Sequence, residues 1–302
     1  MIHSKIEKRV FVVGVPRSGT TLVQSLLAAH GAMTSFTESH FFDRHFNLLP
    51  PLPNPILTRD PVPRLKEFLA ENEEEAPEAA LRFESAGRRA LRMRLLLPFQ
   101  SRWVARQLLE VFDELAQRRG SSSWIEKTPR HLRYIPFLGS LPGVESRTYF
   151  VHVIREGLEV VASLREASKS WERPYDLESC VRRWNEDVAF SLGRITAPTD
   201  HFIFYEELTS RPEPTLRRLI HWLGLDWESD IFERYGRTAD RLVTRQEAWK
   251  ADVGRRIGPS GTADRALTAE QREWVTRSLS PGLYDRFRER VERQSGIWGD
   301  AG

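Results

Sequence analysis

Arg17, Ser18, Thr20 and Thr21 stand together in one short turn, bounded by Gly14 and containing Pro16 and Gly19, within the stretch VFVVGVPRSGTT of residues 10–21. Val10 to Val13 is an apolar run of buried-strand type. Residues 22–29, LVQSLLAA, carry Leu22, Leu26 and Ala29 on one helical face. Strand, glycine turn and helix aim backbone N–H groups at an anion. The spacing of Gly14, Gly19 and Thr21 fits the phosphate-loop frame, with Thr20 where that frame has Lys. A nucleoside triphosphate site needs that Lys on its terminal phosphates. The turn therefore reads as a cradle for a less charged anion, with Arg17 as a planar fork for its oxygens.

Three more places carry groups suited to moving such an anion. Glu38 lies beyond the end of the first helix, and a short return brings it over the anion site as a candidate general base. Capping of the next turn is its structural alternative. His40 is another base candidate, or a polar residue packed beside Phe41 and Phe42. Lys127 follows the short strand Trp124-Ile125-Glu126 and precedes Thr128 and Pro129, at a strand's carboxyl end, where open α/β sheets bind ligands. A cation there meets a transferring anion or a leaving oxygen, or simply holds the turn by a salt bridge. Arg155 ends the strand YFVHVI of residues 149–154, and Ser163 follows two helical turns later. The two suit one further phosphate.

The elements that must position these groups are legible as periodicity. Helices are expected over 102–118, 156–167, 177–195, from Pro212 to Leu223, over 269–279 with Thr268 and Gln271 as a capping box, and over 284–293. HFIFY of residues 201–205 reads as a strand ended by Tyr205, Glu206 and Glu207. Cys180 and Trp184 read as core. Six prolines in 50–63 exclude a helix there, and acidic (67–78) and basic (82–94) stretches follow. Residues 50–100 are thus expected to be an insertion, either a lid or a substrate wall. Residues 244–265, with Arg255, Arg256, Gly258 and Gly261, read as a basic flexible loop able to close over an anionic cofactor.

A chain of 302 residues with 40% hydrophobic content has room for a large α/β core, and no internal repeat is present. A formal net charge of only +3 argues against nucleic acid as a partner. One cysteine rules out a disulfide framework or a cysteine-rich metal site. No signal peptide and no membrane span are expected, so the cytoplasm is the expected compartment.

Four stretches, Val12 to Thr21, Glu126 to Pro129, Val151 to Ser163 and Tyr205 to Leu223, together resemble the sulfotransferases that use 3′-phosphoadenosine-5′-phosphosulfate. They cover residues 10 to about 225 in the family's order. The resemblance implies a single domain over 1–302: a three-layer α/β sandwich on a central parallel sheet, related to the phosphate-loop nucleotidases, with a C-terminal loop and helices over about 236–302. It implies that Pro16, Arg17, Ser18, Gly19, Thr20 and Thr21 bind the 5′-phosphosulfate and that Arg155 and Ser163 take the 3′-phosphate. Tyr205 would sit near the adenine, and Arg255 and Arg256 would close on the 3′-phosphate, although the family's usual Arg-Lys-Gly is altered here. Lys127 matches the family's Lys-Thr-Pro or Lys-Thr-His lysine. In the cytosolic small-molecule branch a catalytic His follows that Lys-Thr pair. Pro129 stands there instead, with His131 two residues beyond. The chain is more similar to the tyrosylprotein and carbohydrate branch, in which a Glu beyond the loop is the base. Glu38 fits that role, with Lys127 and Arg17 stabilising the leaving oxygen. The implied donor is 3′-phosphoadenosine-5′-phosphosulfate, the product 3′-phosphoadenosine-5′-phosphate (PAP), with no metal, in a soluble bacterial relative.

The rival reading from the same turn is a nucleoside triphosphate-dependent kinase or ATPase. It needs a magnesium-holding acid at a strand end, and the best strand ends in Arg155. A non-catalytic scaffold leaves Arg17, Glu38, Lys127 and Arg155 without a purpose. A nucleic-acid binder using 82–94 conflicts with the adjacent acidic run. The acceptor stays open among sugar, phenol, lipid and peptide hydroxyls and amines, as does homo-oligomerisation.

Overall fold

The computed structural model describes residues 6–49, 54–84, 97–143, 145–242, 257–258 and 261–298. Its centre is a five-stranded, wholly parallel sheet. The strands are β1 (Lys8–Gly14), β2 (Met33–Ser35), β5 (Ser123–Lys127), β6 (Thr148–Ile154) and β7 (Asp200–Phe204), in the order β2-β5-β1-β6-β7. A two-stranded ribbon, β3 (Phe46–Asn47) with β4 (Ile56–Leu57), stands apart from it.

Because strand side chains alternate, β1 feeds two cores. Val10 and Val12 pack against α1 (Thr20–Ala28), α10 (Pro212–Trp222) and α11 (Ile231–Leu242) through Leu26, Leu219 and Ile231. Phe11 and Val13 pack toward α2 (Phe41–His45), α3 (Val62–Glu71) and α5 (Leu97–Arg118), where Phe41, Phe68 and Phe112 meet edge to face and Phe112 stacks on Trp124. Helix, sheet and helix make the three layers. A third core joins α7 (Gly157–Ser168) and α8 (Leu177–Leu192) to α12 (Thr262–Ala266), α13 (Ala269–Ser278) and α14 (Leu283–Trp298). Cys180 and Trp184 lie in it, fully buried.

The expected strands and helices sit within a few residues of their observed bounds, and the Thr268–Gln271 capping box forms as expected. Two expectations change. Tyr205 does not end a strand but opens the short helix α9 (Tyr205–Ser210). Helix α3 begins inside the proline-rich stretch, at Val62, because a proline is tolerated in a first helical turn. Of the basic stretch 82–94, residues 85–94 lie outside the described residues. A helix, α4, described over residues 78–84, and α3 are linked by Lys66–Glu84, while Arg82 pairs with Glu78 and with Glu114 of α5. Among the described residues no helix is long and apolar enough to cross a membrane.

Candidate active site

The register of the sheet brings the candidate groups to one edge. Val12 of β1 is level with Lys127 on one side, and Gly14 is level with Val153 on the other. The turn after β1, Lys127 at the end of β5 and Arg155 just beyond β6 therefore crowd the carboxyl ends of three adjacent strands.

The turn is built by close approach. A Cβ on Gly14 (φ +150°) would meet the Val153 carbonyl oxygen at 2.5 Å, and one on Gly19 (φ +101°) would meet the Tyr205 ring at 2.4 Å. Arg17 holds a left-handed φ of 76° although it is not glycine. Two contacts hold it there: its Nε donates to Ser163 Oγ (3.1 Å), and Arg155 Nη1 donates to its carbonyl oxygen (3.1 Å). Helix α1 opens at Gly19 with no side-chain cap, with Thr20 and Thr21 buried at its start. Its first amide N–H groups thus face the turn. Ser18 Oγ is buried there with no hydrogen-bond partner among the described residues.

Arg155 is held from several sides. Its Nη2 donates to Glu159 Oε2 (2.9 Å), its guanidinium lies 4.4 Å over the Tyr205 ring, and its carbonyl accepts from Trp184 Nε1 (3.0 Å). Glu159 also accepts the amides of Thr262 and Ala263, docking α12. The Tyr205 hydroxyl donates to the Gly258 carbonyl (3.2 Å), and burial pushes its pKa up. The expected pair of Arg155 and Ser163 is thus brought together through Arg17. Arg255 and Arg256 lie outside the described residues.

On the other side of the turn, Glu38 and Lys127 form an ion pair, with Lys127 buried at 2% exposure. His40 Nε2 lies 3.2 Å from the second Glu38 oxygen, and its Nδ1 lies 3.3 Å from Asp43. Burial works to lower the His40 pKa, but the hydrogen bonds to Asp43 and Glu38 outweigh it and leave the pKa raised. His40 too has a left-handed φ, 53°, and its amide donates to Thr128 Oγ1.

Beneath this pair lies Glu126, fully buried. Its Oε1 accepts from the Ser39 amide (3.2 Å), Ser39 Oγ (2.8 Å) and Thr128 Oγ1 (2.5 Å), and its Oε2 lies 2.9 Å from His131 Nδ1. Burial opposes charge on His131, but the Glu126 and Asp43 carboxylates prevail and push its pKa up to about 9. The same exchange holds Glu126 and Asp43 below the ordinary carboxylate range against their burial. From α3, Arg64 donates to the carbonyls of Ser39 (2.8 Å) and Glu38 (2.7 Å) and pairs with Glu71. The described part of the 50–100 segment thus supports the segment bearing Glu38 and Ser39 from outside.

Sequence reasoning missed Glu126, Arg64, Asp43 and Glu159. Only Glu126 carried a signal, a carboxylate inside an apolar strand with Thr128 on the same face. His131, weighed as a base, is instead enclosed as the counter-ion of Glu126.

The model of the sulfotransferase family matches residues 9–229, most of the chain and all of the groups above except the C-terminal contacts. The chain belongs to the sulfotransferase family. A protein of Aquifex aeolicus is 24% identical over 239 residues, covering 76% of this chain and 27% of its own length. A protein-tyrosine sulfotransferase of Drosophila melanogaster is 22% identical over 229 residues, covering 74% of this chain and 39% of its own. The chain thus spans well under half the length of these two relatives. Mouse sulfotransferase SULT7A1, in a crystal structure complexed with PAP, shares the fold at a TM-score of 0.52 and 12% identity, over 95% of this chain and 89% of that one.

Proposed function

We propose that this chain transfers a sulfuryl group from 3′-phosphoadenosine-5′-phosphosulfate to an acceptor hydroxyl, with Glu38 as the base. The observation that carries this reading is the Glu38–Lys127 ion pair, one strand away from an uncapped glycine turn. The nucleotide fits the residues present. The orphaned Ser18 Oγ and the first amides of α1 suit the 5′ end, with Pro16, Arg17, Thr20 and Thr21 around them. Arg155 and Ser163 are the proposed 3′-phosphate ligands, with Arg255 and Arg256 closing on it, and Tyr205 is the proposed neighbour of the adenine. The PAP named in the mouse structure supports this choice of ligand.

The donor supplies a sulfuryl group activated by its bond to a phosphate oxygen. Glu38 takes the proton of the acceptor hydroxyl as the acceptor oxygen bonds to sulfur and the sulfur–bridging oxygen bond breaks. Neutralising Glu38 weakens its hold on Lys127, whose ammonium then serves the charge left on the bridging oxygen, together with Arg17 and the turn amides. His40 fixes the second Glu38 oxygen, so one oxygen faces the acceptor.

The proposal extends to one working domain over 1–302, and to a reducing compartment such as the cytoplasm, which the single buried Cys180 supports. Transfer from labelled donor is the test. Glu38→Gln cuts turnover by roughly 10²–10⁴ and leaves PAP affinity nearly unchanged. Normal turnover by that variant removes Glu38 as the base. Calorimetry in which ATP with magnesium binds and PAP does not removes the whole reading.

A further inference from the structure

We propose that the acceptor is acidic: a small hydroxylated, hydrophilic molecule that also carries a carboxylate or sulfate, held by arginines in the cavity beside the Glu38 network. This rests on the transfer reading above and specifies its second substrate. The cavity, of about 440 Å³, lies between the 3₁₀ turn Pro129–Tyr134 and α8. That turn begins two residues after Lys127, and the cavity meets the Glu38 network through Asp43 rather than through Glu38 or Lys127 themselves. Asp43 forms part of its wall, and Asp43 reaches Glu38 through His40.

Four arginines line it: Arg130, Arg133, Arg182 and Arg183. Three carboxylates face them, and most of that negative charge is already answered. Asp43 lies against His40, His131 and, at 3.8 Å, Arg130. Asp187 pairs with Arg133 at 2.7 Å, and Glu186 lies 3.5 Å from the same guanidinium. Among the described residues neither Arg182 nor Arg183 makes an ion pair: Arg182 donates to Ser179 Oγ (3.4 Å), and Arg183 lies 5.4 Å over the Tyr175 ring. Over the whole lining the four guanidiniums outnumber the three carboxylates, and their forks suit carboxylate or sulfate oxygens. Leu48 and Leu132 are its aliphatic lining, which is little for a steroid or a lipid chain.

The test uses the full chain loaded with PAP and the matched probes p-nitrophenyl β-glucuronide and p-nitrophenyl β-glucoside, which differ only at C6, a carboxylate in one and a hydroxymethyl group in the other. The glucuronide is expected to bind at least tenfold more tightly by calorimetry, and to lose that advantage at high salt. Arg182→Gln/Arg183→Gln is expected to weaken the glucuronide roughly 10- to 100-fold, the range for hydrogen bonds to charged groups. The glucoside and PAP affinities stay unchanged, and an unaltered melting temperature shows the variant is folded. Equal binding of the two probes, no binding of the glucuronide, or a preference that survives the double substitution overturns the inference while leaving PAP binding intact. Failure of PAP itself to bind overturns the transfer reading instead.

Discussion

Arg64→Ala separates a positioning role from a stabilising one. Arg64 is 7% exposed, and its guanidinium serves two backbone carbonyls and the carboxylates of Glu71 and Glu67 at once. Removing it leaves the Glu38 and Ser39 carbonyls without that donor, and each buried acceptor so stranded costs about 1–3 kcal/mol. Glu71 has a side chain 35% exposed, so it rehydrates and adds little. The expected loss is about 2–5 kcal/mol, read as a lower urea midpoint with an unchanged slope. The same carbonyls fix the backbone that carries Glu38, the proposed base. A displacement near 1 Å can cost about 10² in rate, so kcat is expected to fall roughly 10- to 100-fold while PAP affinity holds. Arg64→Lys, a point cation without the fork, recovers part of the stability and little of the rate. If kcat stays within about twofold of the parent while stability drops, Arg64 braces the fold without aiming Glu38, and the reasoning fails.

Arg155→Ala is expected to weaken PAP far more than the analogue lacking the 3′-phosphate, with a smaller loss for both because the Arg17 carbonyl loses its donor. Equal losses in calorimetry count against the 3′-phosphate role. Gly19→Ala combines a left-handed φ with a collision against the Tyr205 ring, so a loss of about 2 kcal/mol or more is expected in urea unfolding. Tyr205→Ala on that background relieves only the collision. For pH, the folded pKa of His131, about 9, lies above its ordinary 6.5. Its contribution to stability is therefore full below about pH 6.5 and is lost as pH rises through 9. That contribution is at most about 3 kcal/mol, and His131→Asn should flatten the profile over this interval.

The sheet and the glycine turn were legible because their causes are local. Val10 to Val13 and residues 149–154 are apolar runs of strand length, and the glycine spacing leaves few other geometries. The order of strands, β2-β5-β1-β6-β7, was not legible, because it is set by which helices pack between them and not by any local pattern. Strand β2 was invisible, since Met33, Thr34 and Ser35 carry neither length nor alternation. The layer under Glu38 was invisible for a different reason. Arg64 and Glu126 look like surface charges in a sequence, and only contacts with segments 25 and 87 residues distant account for their burial. Glu38, Lys127 and Arg17 could be singled out by type and position, but their partners His40, Ser163 and Arg155 are set by packing.

Glu126 has a practical consequence. One inward-facing carboxylate stitches the segment bearing Ser39 to the strand end bearing Thr128 and to His131. Grafting a foreign acceptor loop over residues 37–45 would leave that carboxylate to a stranger. Any chimera of this chain should therefore exchange residues 37–45 and 126–131 as a single cassette.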